Sequence, residues 1–270
     1  MSKSAGSGSI WAQPEPGSRK PKFTREQIAS AALTIADSEG FEAVAMRRVA
    51  AELGAGTMTL YNYVRTKDDL VSLMHDAIMA EVYVPPDELP LEWRPALTVI
   101  AHRTRSVLLR HPWSLASLQA AQPGPNAMRR FEQYLAALAS TQLDTAAKFD
   151  LLTMVNSYVF GNAMITSESL TRAAAAESEP DAAAAMMEFG MAQLRTGHFP
   201  HTAALFAQFS QPSPHGSPDG SPDGTREPAG PPMDEKGLTE QFERGLEALL
   251  DGAALRMNLP RTPPTDAAAR

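Results

Sequence analysis

The sequence contains no cysteine among its 270 residues. That excludes a disulfide framework, a thiol nucleophile and a thiolate metal site, and it leaves packing to hold the fold. Long apolar runs are also missing. No window approaches the roughly 20 apolar residues of a membrane span, and the opening MSKSAGSGSIWAQPEPGSRKPK lacks the apolar core of a secretory signal. A cytoplasmic protein without membrane attachment is expected. Neither G-x-S-x-G nor H-E-x-x-H occurs, nor a glycine-rich phosphate loop, so the best-marked enzyme classes find no support. No catalytic residue, cofactor or metal is expected.

The chain does hold long periodic stretches almost free of breakers, because its 22 prolines and 17 glycines cluster in a few places. Apolar residues recur at helical spacing nearly throughout, which predicts an all-α fold. Thr24 and Gln27 form a capping box ahead of Ile28, Ala32, Ile35 and Ala36, and Gly40 stops that helix. A short helix from about 45 to 53 ends at Gly54, a second is expected over 56–64, and Thr66 with Asp69 opens a longer one toward Pro85. Two short helices joined by a glycine turn are a helix-turn-helix unit. Further helices are expected at about 93–110, 113–121, 126–140, 145–173, 181–196, 199–209 and 237–258. The composition of 211–235, with its overlapping GSPDG repeats, reads as a flexible insert. The expected organisation is a disordered tail 1–21, a helix-turn-helix DNA-binding domain 22–84, a helical ligand-binding and dimerisation domain 90–259, and a disordered tail 260–270.

Charge is uneven. The net charge of the whole is -7, yet residues 19–67 carry eight Lys or Arg against five acids. A cationic end on an acidic body suits a polyanion, since phosphate contacts supply most non-specific nucleic-acid affinity. The segment LGAGTMTLYNYVRTKDDL (53–70) adds small and aromatic residues to that charge. A helix entering the major groove needs a small leading turn and an exposed face of hydroxyl and methyl groups. Gly56, Thr57, Met58 and Thr59 supply the turn, Tyr61 and Tyr63 supply ring faces and hydroxyls, Lys67 starts the next helix, and Arg47 starts the one before. The alternative for the tyrosines is packing of the small domain, the role expected of Leu60 and Val64.

Residues 23–79 resemble the N-terminal DNA-binding domain of the tetracycline-repressor (TetR) family. The resemblance lies in the A-x-x-[LI]-x-x-x-x-G run, then R-x-V-A-x-x-L-G, then T-L-Y-x-Y-V-x-x-K-x-x-L. RTGHFPHTAALFAQF and EQFERGLEALLDGAALR look like the C-terminal domain of the tetracycline-repressor subgroup. The resemblance implies a homodimeric repressor that reads a palindromic double-stranded DNA operator and is released by a small organic effector. It also places Thr57, Met58, Tyr61, Tyr63 and Arg47 at base- or backbone-contacting positions and Lys67 at a phosphate-binding one. Asn62 and Met58 stand where the tetracycline repressor has tryptophan and proline, so operator sequence does not transfer. The histidine that helps hold magnesium in tetracycline-binding members has no counterpart with a carboxylate at the matching place.

The dimer has a physical argument of its own, because one helix reads only a few base pairs and specificity needs two half-sites. Val155 and Val159 on one helix, and Phe242, Leu246, Leu249 and Leu250 on another, are the expected interface, with core packing as the alternative. His102, Trp113, Gln119, Phe131, Met154, Ser157 and Met164 mix apolar and sparse polar groups and are the expected effector pocket. His111 is expected to meet free carbonyls at a helix end. Effector contacts would act through the helix at 93–110 on the one that begins at Thr66. A helical adaptor that binds no DNA, and an activator of the same family, are the competing readings.

Overall fold

Local sequence chemistry sets the first helices. The computed structural model describes residues 9–13, 23–117, 120–209 and 235–260. In α1 (Arg25–Glu39) the Thr24 hydroxyl accepts the Gln27 amide while the Gln27 side chain accepts the Thr24 amide, and Gly40 ends the helix at φ 88°. Both halves of a capping box are therefore present. Helix α2 (Met46–Glu52) turns through Gly54, whose φ of 62° suits a residue without a Cβ. Helix α3 (Thr57–Tyr61) stops three residues short of the expected Val64, because the chain must swing round to reach Thr66, the N-cap of α4 (Lys67–Val82). There Thr66 and Asp69 form a second capping box.

Seven further helices follow: α5 (Trp93–Arg110), α6 (Trp113–Ser117), α7 (Pro125–Ala137), α8 (Thr145–Ser178), α9 (Pro180–Arg195), α10 (Pro200–Phe209) and α11 (Glu235–Arg256). The described residues contain no strand. Helix α8 outruns its expected end at 173 because RAAAAES continues with strong helix formers. Residues 211–234 of the expected insert, 261–270 of the expected tail and Gln119 lie outside the described residues, and Glu235, expected to end the insert, opens α11.

The chain divides into two compact units, residues 1–164 with 246–270, and residues 165–245. The boundary expected between 84 and 90 is not one of the divisions. Within the first unit, Ile28, Ile35, Val49, Leu60, Val64, Leu70 and Met74 form one buried cluster that ties α1 to α4. Residues 9–13 depart from the disordered tail expected for 1–21. They form a turn of 3-10 helix (Ile10–Ala12) whose Ile10 is completely buried in that cluster. In the second unit, α9 has no buried residue along its length.

The expected dimer interface is corrected by burial. Val155, Val159, Phe242, Leu246 and Leu250 are each no more than 4% exposed within one protomer, and Leu249 is half-buried. The first five side chains fill the protomer's own interior. Periodicity marked an apolar stripe on each helix, but it cannot say whether the stripe faces the same chain or another.

Candidate DNA-reading face

Helix α3 presents most of the residues that its sequence suggested. Met58 is 78% exposed and Tyr61 42%, with Thr57 and Thr59 half-buried beside them, while Leu60 turns inward and anchors the helix. Gly56, the N-cap of α3, sits at φ -77°, and a Cβ added there would meet nothing within 4 Å. Neither backbone strain nor internal packing requires glycine at this position. A surface approaching from outside would.

The basic residues divide into two kinds. Arg48 donates through Nε to Glu39 (3.1 Å) and through Nη1 to Glu52 (2.8 Å), and those carboxylates raise its pKa while Arg48 lowers that of Glu39. Its neighbour Arg47 is exposed and makes no ion pair among the described residues. Lys67 occupies the first turn of α4, where the helix dipole disfavours a cation. Its Nζ lies 5.1 Å from the Phe41 ring centroid, and Asp68 and Asp69 share the turn. A lysine kept at an unfavourable helix end is available to an anion.

Tyr63 belongs elsewhere. It is 7% exposed, its ring packs edge-on against Phe23 at 6.4 Å, and its hydroxyl accepts the Phe23 amide at 3.4 Å. Its contribution is to join the turn after α3 to the start of α1. A helix continued to Val64 was expected to present both tyrosines to the groove, but α3 ends at Tyr61 and the turn carries Tyr63 inward.

A family model described as bacterial regulatory proteins, tetR family, matches residues 28–74, and one described as tetracyclin repressor-like, C-terminal domain, matches residues 85–219. A helix-turn-helix-type transcriptional regulator of Saccharopolyspora erythraea is 38% identical over 168 residues, covering 61% of this chain and 70% of that one. The chain belongs to the TetR family.

Two other relatives extend the comparison for this TetR-family regulator. The transcriptional repressor DrrR1 of Streptomyces coeruleorubidus is 40% identical over 146 residues, 53% of this chain and 54% of its own. The Streptomyces coelicolor TetR family protein ActR, solved in complex with actinorhodin, superposes with a TM-score of 0.63 at 25% identity, covering 87% of this chain and 96% of that one. The protein is thus a DNA-binding transcriptional regulator of helix-turn-helix type.

On the effector side of the TetR-family chain, the structure scatters the expected pocket residues. His102 lines a cavity of about 400 Å³ with Val84, Glu88, Thr98, Arg103 and Ser106. Trp113 is not there. It stacks on Phe41 at 5.5 Å and donates from Nε1 to Asp37 at 2.8 Å, joining α6 to the DNA-binding helices. Phe131, Met154, Ser157 and Met164 are exposed and line neither this cavity nor the next, and Gln119 lies outside the described residues. A second cavity of about 360 Å³ lies between α9 and α10, lined by Met187, Met191, Leu194, Phe199 and Phe206. Sequence reasoning missed it, although Met187, Met191 and Leu194, at helical spacing in MMEFGMAQL, were its visible signal.

Helix α4 joins the two functions. Its Glu81 accepts Arg110 at 2.8 Å and its carbonyl accepts Arg103 Nε at 3.0 Å, both from α5. Helix α7 grips α4 as well. The Asp76 carboxylate accepts the amides of Asn126 and Ala127 at 3.0 and 3.1 Å, and the Gln133 amide bonds both backbone groups of Val84. Burial raises the Asp76 pKa against those amides. On its other side α7 holds α8, since Arg130 donates to Asn156 (2.6 Å) and to the Tyr134 hydroxyl (2.9 Å). Burial pushes the Tyr134 phenol up, with Arg130 opposing.

Two histidines reinforce this joint. His75 is buried on α4, and desolvation lowers its pKa to about 4. His75 Nε2 and the Ser117 hydroxyl share a hydrogen bond of 2.9 Å, and that hydroxyl also lies 3.1 Å from the Trp113 carbonyl. His111 does not meet free carbonyls as expected. Its Nδ1 lies 2.8 Å from Asp37 and its Nε2 3.3 Å from Glu81, linking α1 and α4. A helix-end position fixes the histidine's address but not its tertiary partners.

Proposed function

We propose that the protein is a ligand-responsive repressor that binds a palindromic operator as a homodimer in the cytoplasm and is released by a small organic effector. The observation that carries the reading is the exposed α3 face, with Gly56, Thr57, Met58, Thr59 and Tyr61 outward between Arg47 and Lys67. Arg47 and Lys67 contact phosphates, and the α3 face reads base edges. Residues 22–84 are the DNA-binding domain and 90–259 carry effector and dimer contacts. The repressor name of the DrrR1 relative and the actinorhodin complex of ActR support repression and an organic effector. Exposed Met186, Met187, Phe189, Met191 and Phe199 supply apolar surface that a second copy would cover.

Release follows from how α4 is held. An effector that shifts α5, α7 or α8 moves α4 through Glu81, Asp76 and Val84, so two reading helices lose their matched spacing. Allosteric coupling of this kind is worth roughly 1–3 kcal/mol. The test is fluorescence anisotropy against duplexes tiling the DNA beside the protein's own gene, at two salt concentrations. Tight binding to one duplex with two protomers per site is the expected result; weak, salt-labile binding to every duplex would overturn the operator reading.

A further inference from the structure

The brace formed by residues 9–13 has no place in the domain that the family model matches, which begins at residue 28. Its contacts nevertheless converge on one point of the α4–α7 joint. Ile10 is completely buried in the cluster that ties α1 to α4. Arg25 Nη2 reaches back from α1 to the Gln13 carbonyl at 2.9 Å, and Ser9 caps the turn by accepting the Trp11 amide. Trp11 then leans outward from this anchor, and its indole Nε1 donates to the Gln122 carbonyl at 3.3 Å.

The segment that Trp11 reaches is the lead-in to α7. From the α4 side, the Ser72 hydroxyl accepts the Gln122 amide at 2.9 Å, and Asp76 caps Asn126 and Ala127. Gly124 is squeezed between the two. A Cβ at this position would collide with the Trp11 ring on one side and the Asp76 carboxylate on the other. Its φ of -109° is open to any residue, so contact rather than backbone conformation is what demands glycine.

We propose that residues 9–13 are a brace that clamps the α7 lead-in against α4, with Trp11 as a positioning residue for operator binding. The inference rests on the dimeric-repressor reading. A protomer with the clamp loosened samples more angles between α4 and α7, and a smaller fraction of dimers holds both reading helices at operator spacing. Affinity for the operator falls with that fraction. Affinity for random DNA does not, because each reading head is intact.

The experiment compares wild type with Trp11→Ala, Trp11→Phe and Gly124→Ala on the duplex selected by the tiling screen and on a scrambled duplex of the same length. Circular dichroism checks folding. Trp11→Ala and Gly124→Ala should each weaken operator binding about five-fold or more and leave scrambled-duplex binding unchanged, and Trp11→Phe should recover most of the loss. Unchanged operator affinity in folded Trp11→Ala would overturn the proposal, as would equal losses on both duplexes. Amide hydrogen exchange gives a readout independent of DNA. The amides of Gln122, Asn126 and Ala127 should exchange faster in Trp11→Phe, which loses only the indole donor, and still faster in Trp11→Ala. Exchange equal to wild type sinks the brace even if no duplex is ever discriminated. Wild type failing to separate operator from scrambled DNA, with these amides still loosened, would fault the repressor reading and leave the clamp standing.

Discussion

Among the places where the protein exposes large side chains, α3 and the pair α9 and α10 differ in the company those side chains keep. On α3, Met58 and Tyr61 stand among threonines, with Arg47 and Lys67 at either side. On α9 and α10, Met186, Met187, Phe189, Met191, Phe199 and Phe206 stand mostly beside one another and beside alanine. A polyanion with methyl-bearing grooves matches the first face. Only an apolar partner matches the second, because covering it removes water from hydrocarbon without stranding charges. The proposed function assigns the first surface to reading and the second to assembly.

The sharpest way to break that contrast is to charge the second surface. The pair Met187→Asp and Met191→Asp should convert dimer to monomer in sedimentation and cost at least about 100-fold in operator affinity, since two half-sites no longer act together. A dimer that persists would show that assembly uses another face.

Helix α4, which serves both functions, has its own test in His75. Its folded pKa of about 4 lies below the ordinary 6.5, so the unfolded chain takes up the extra proton first. This contribution to stability is complete above about pH 6.5 and is lost as pH falls toward 4, to a limit of about 3 kcal/mol. Urea unfolding from pH 7 to 4 should show the loss in wild type and a flatter acid limb in His75→Gln. Parallel limbs would mean that His75 is charged or exposed in the native state.

At the reading face, Tyr61→Ala should cost about 1–3 kcal/mol on the operator and relax its specificity. Gly56→Ser sharpens the point, because serine is a good N-cap and should hold or raise thermal stability while operator binding falls. Operator affinity unchanged in both variants would remove α3 from the groove. The smallest expected effect is that of Lys67→Ala, which should weaken all duplexes alike and flatten the salt slope by about one unit. Selective loss on the operator alone would make Lys67 a base reader.

These contrasts also explain what could be read in advance. Capping boxes at Thr24 and Thr66, the Gly54 turn and the outward Met58 and Tyr61 depend on neighbours within one helical turn, and the sequence displays them directly. Tyr63, Trp113 and His111 depend on partners far away in the chain: Phe23 for the first, Asp37 and Phe41 for the second, Asp37 and Glu81 for the third. No spacing rule reports such pairings. The apolar stripes of α8 and α11 were legible as stripes, yet Val155 and Phe242 face their own protomer. Nothing marked residues 9–13 as ordered, since one buried isoleucine in a polar tail has no period.

The tethering of Arg48 bears on how DNA binding would respond to salt. With that guanidinium held by Glu39 and Glu52, α2 presents one available cation, Arg47, to a phosphate backbone. On the proposed reading each α2 therefore frees the counterions of one phosphate rather than two, which makes the salt slope shallower by about one unit per protomer than two free arginines would give.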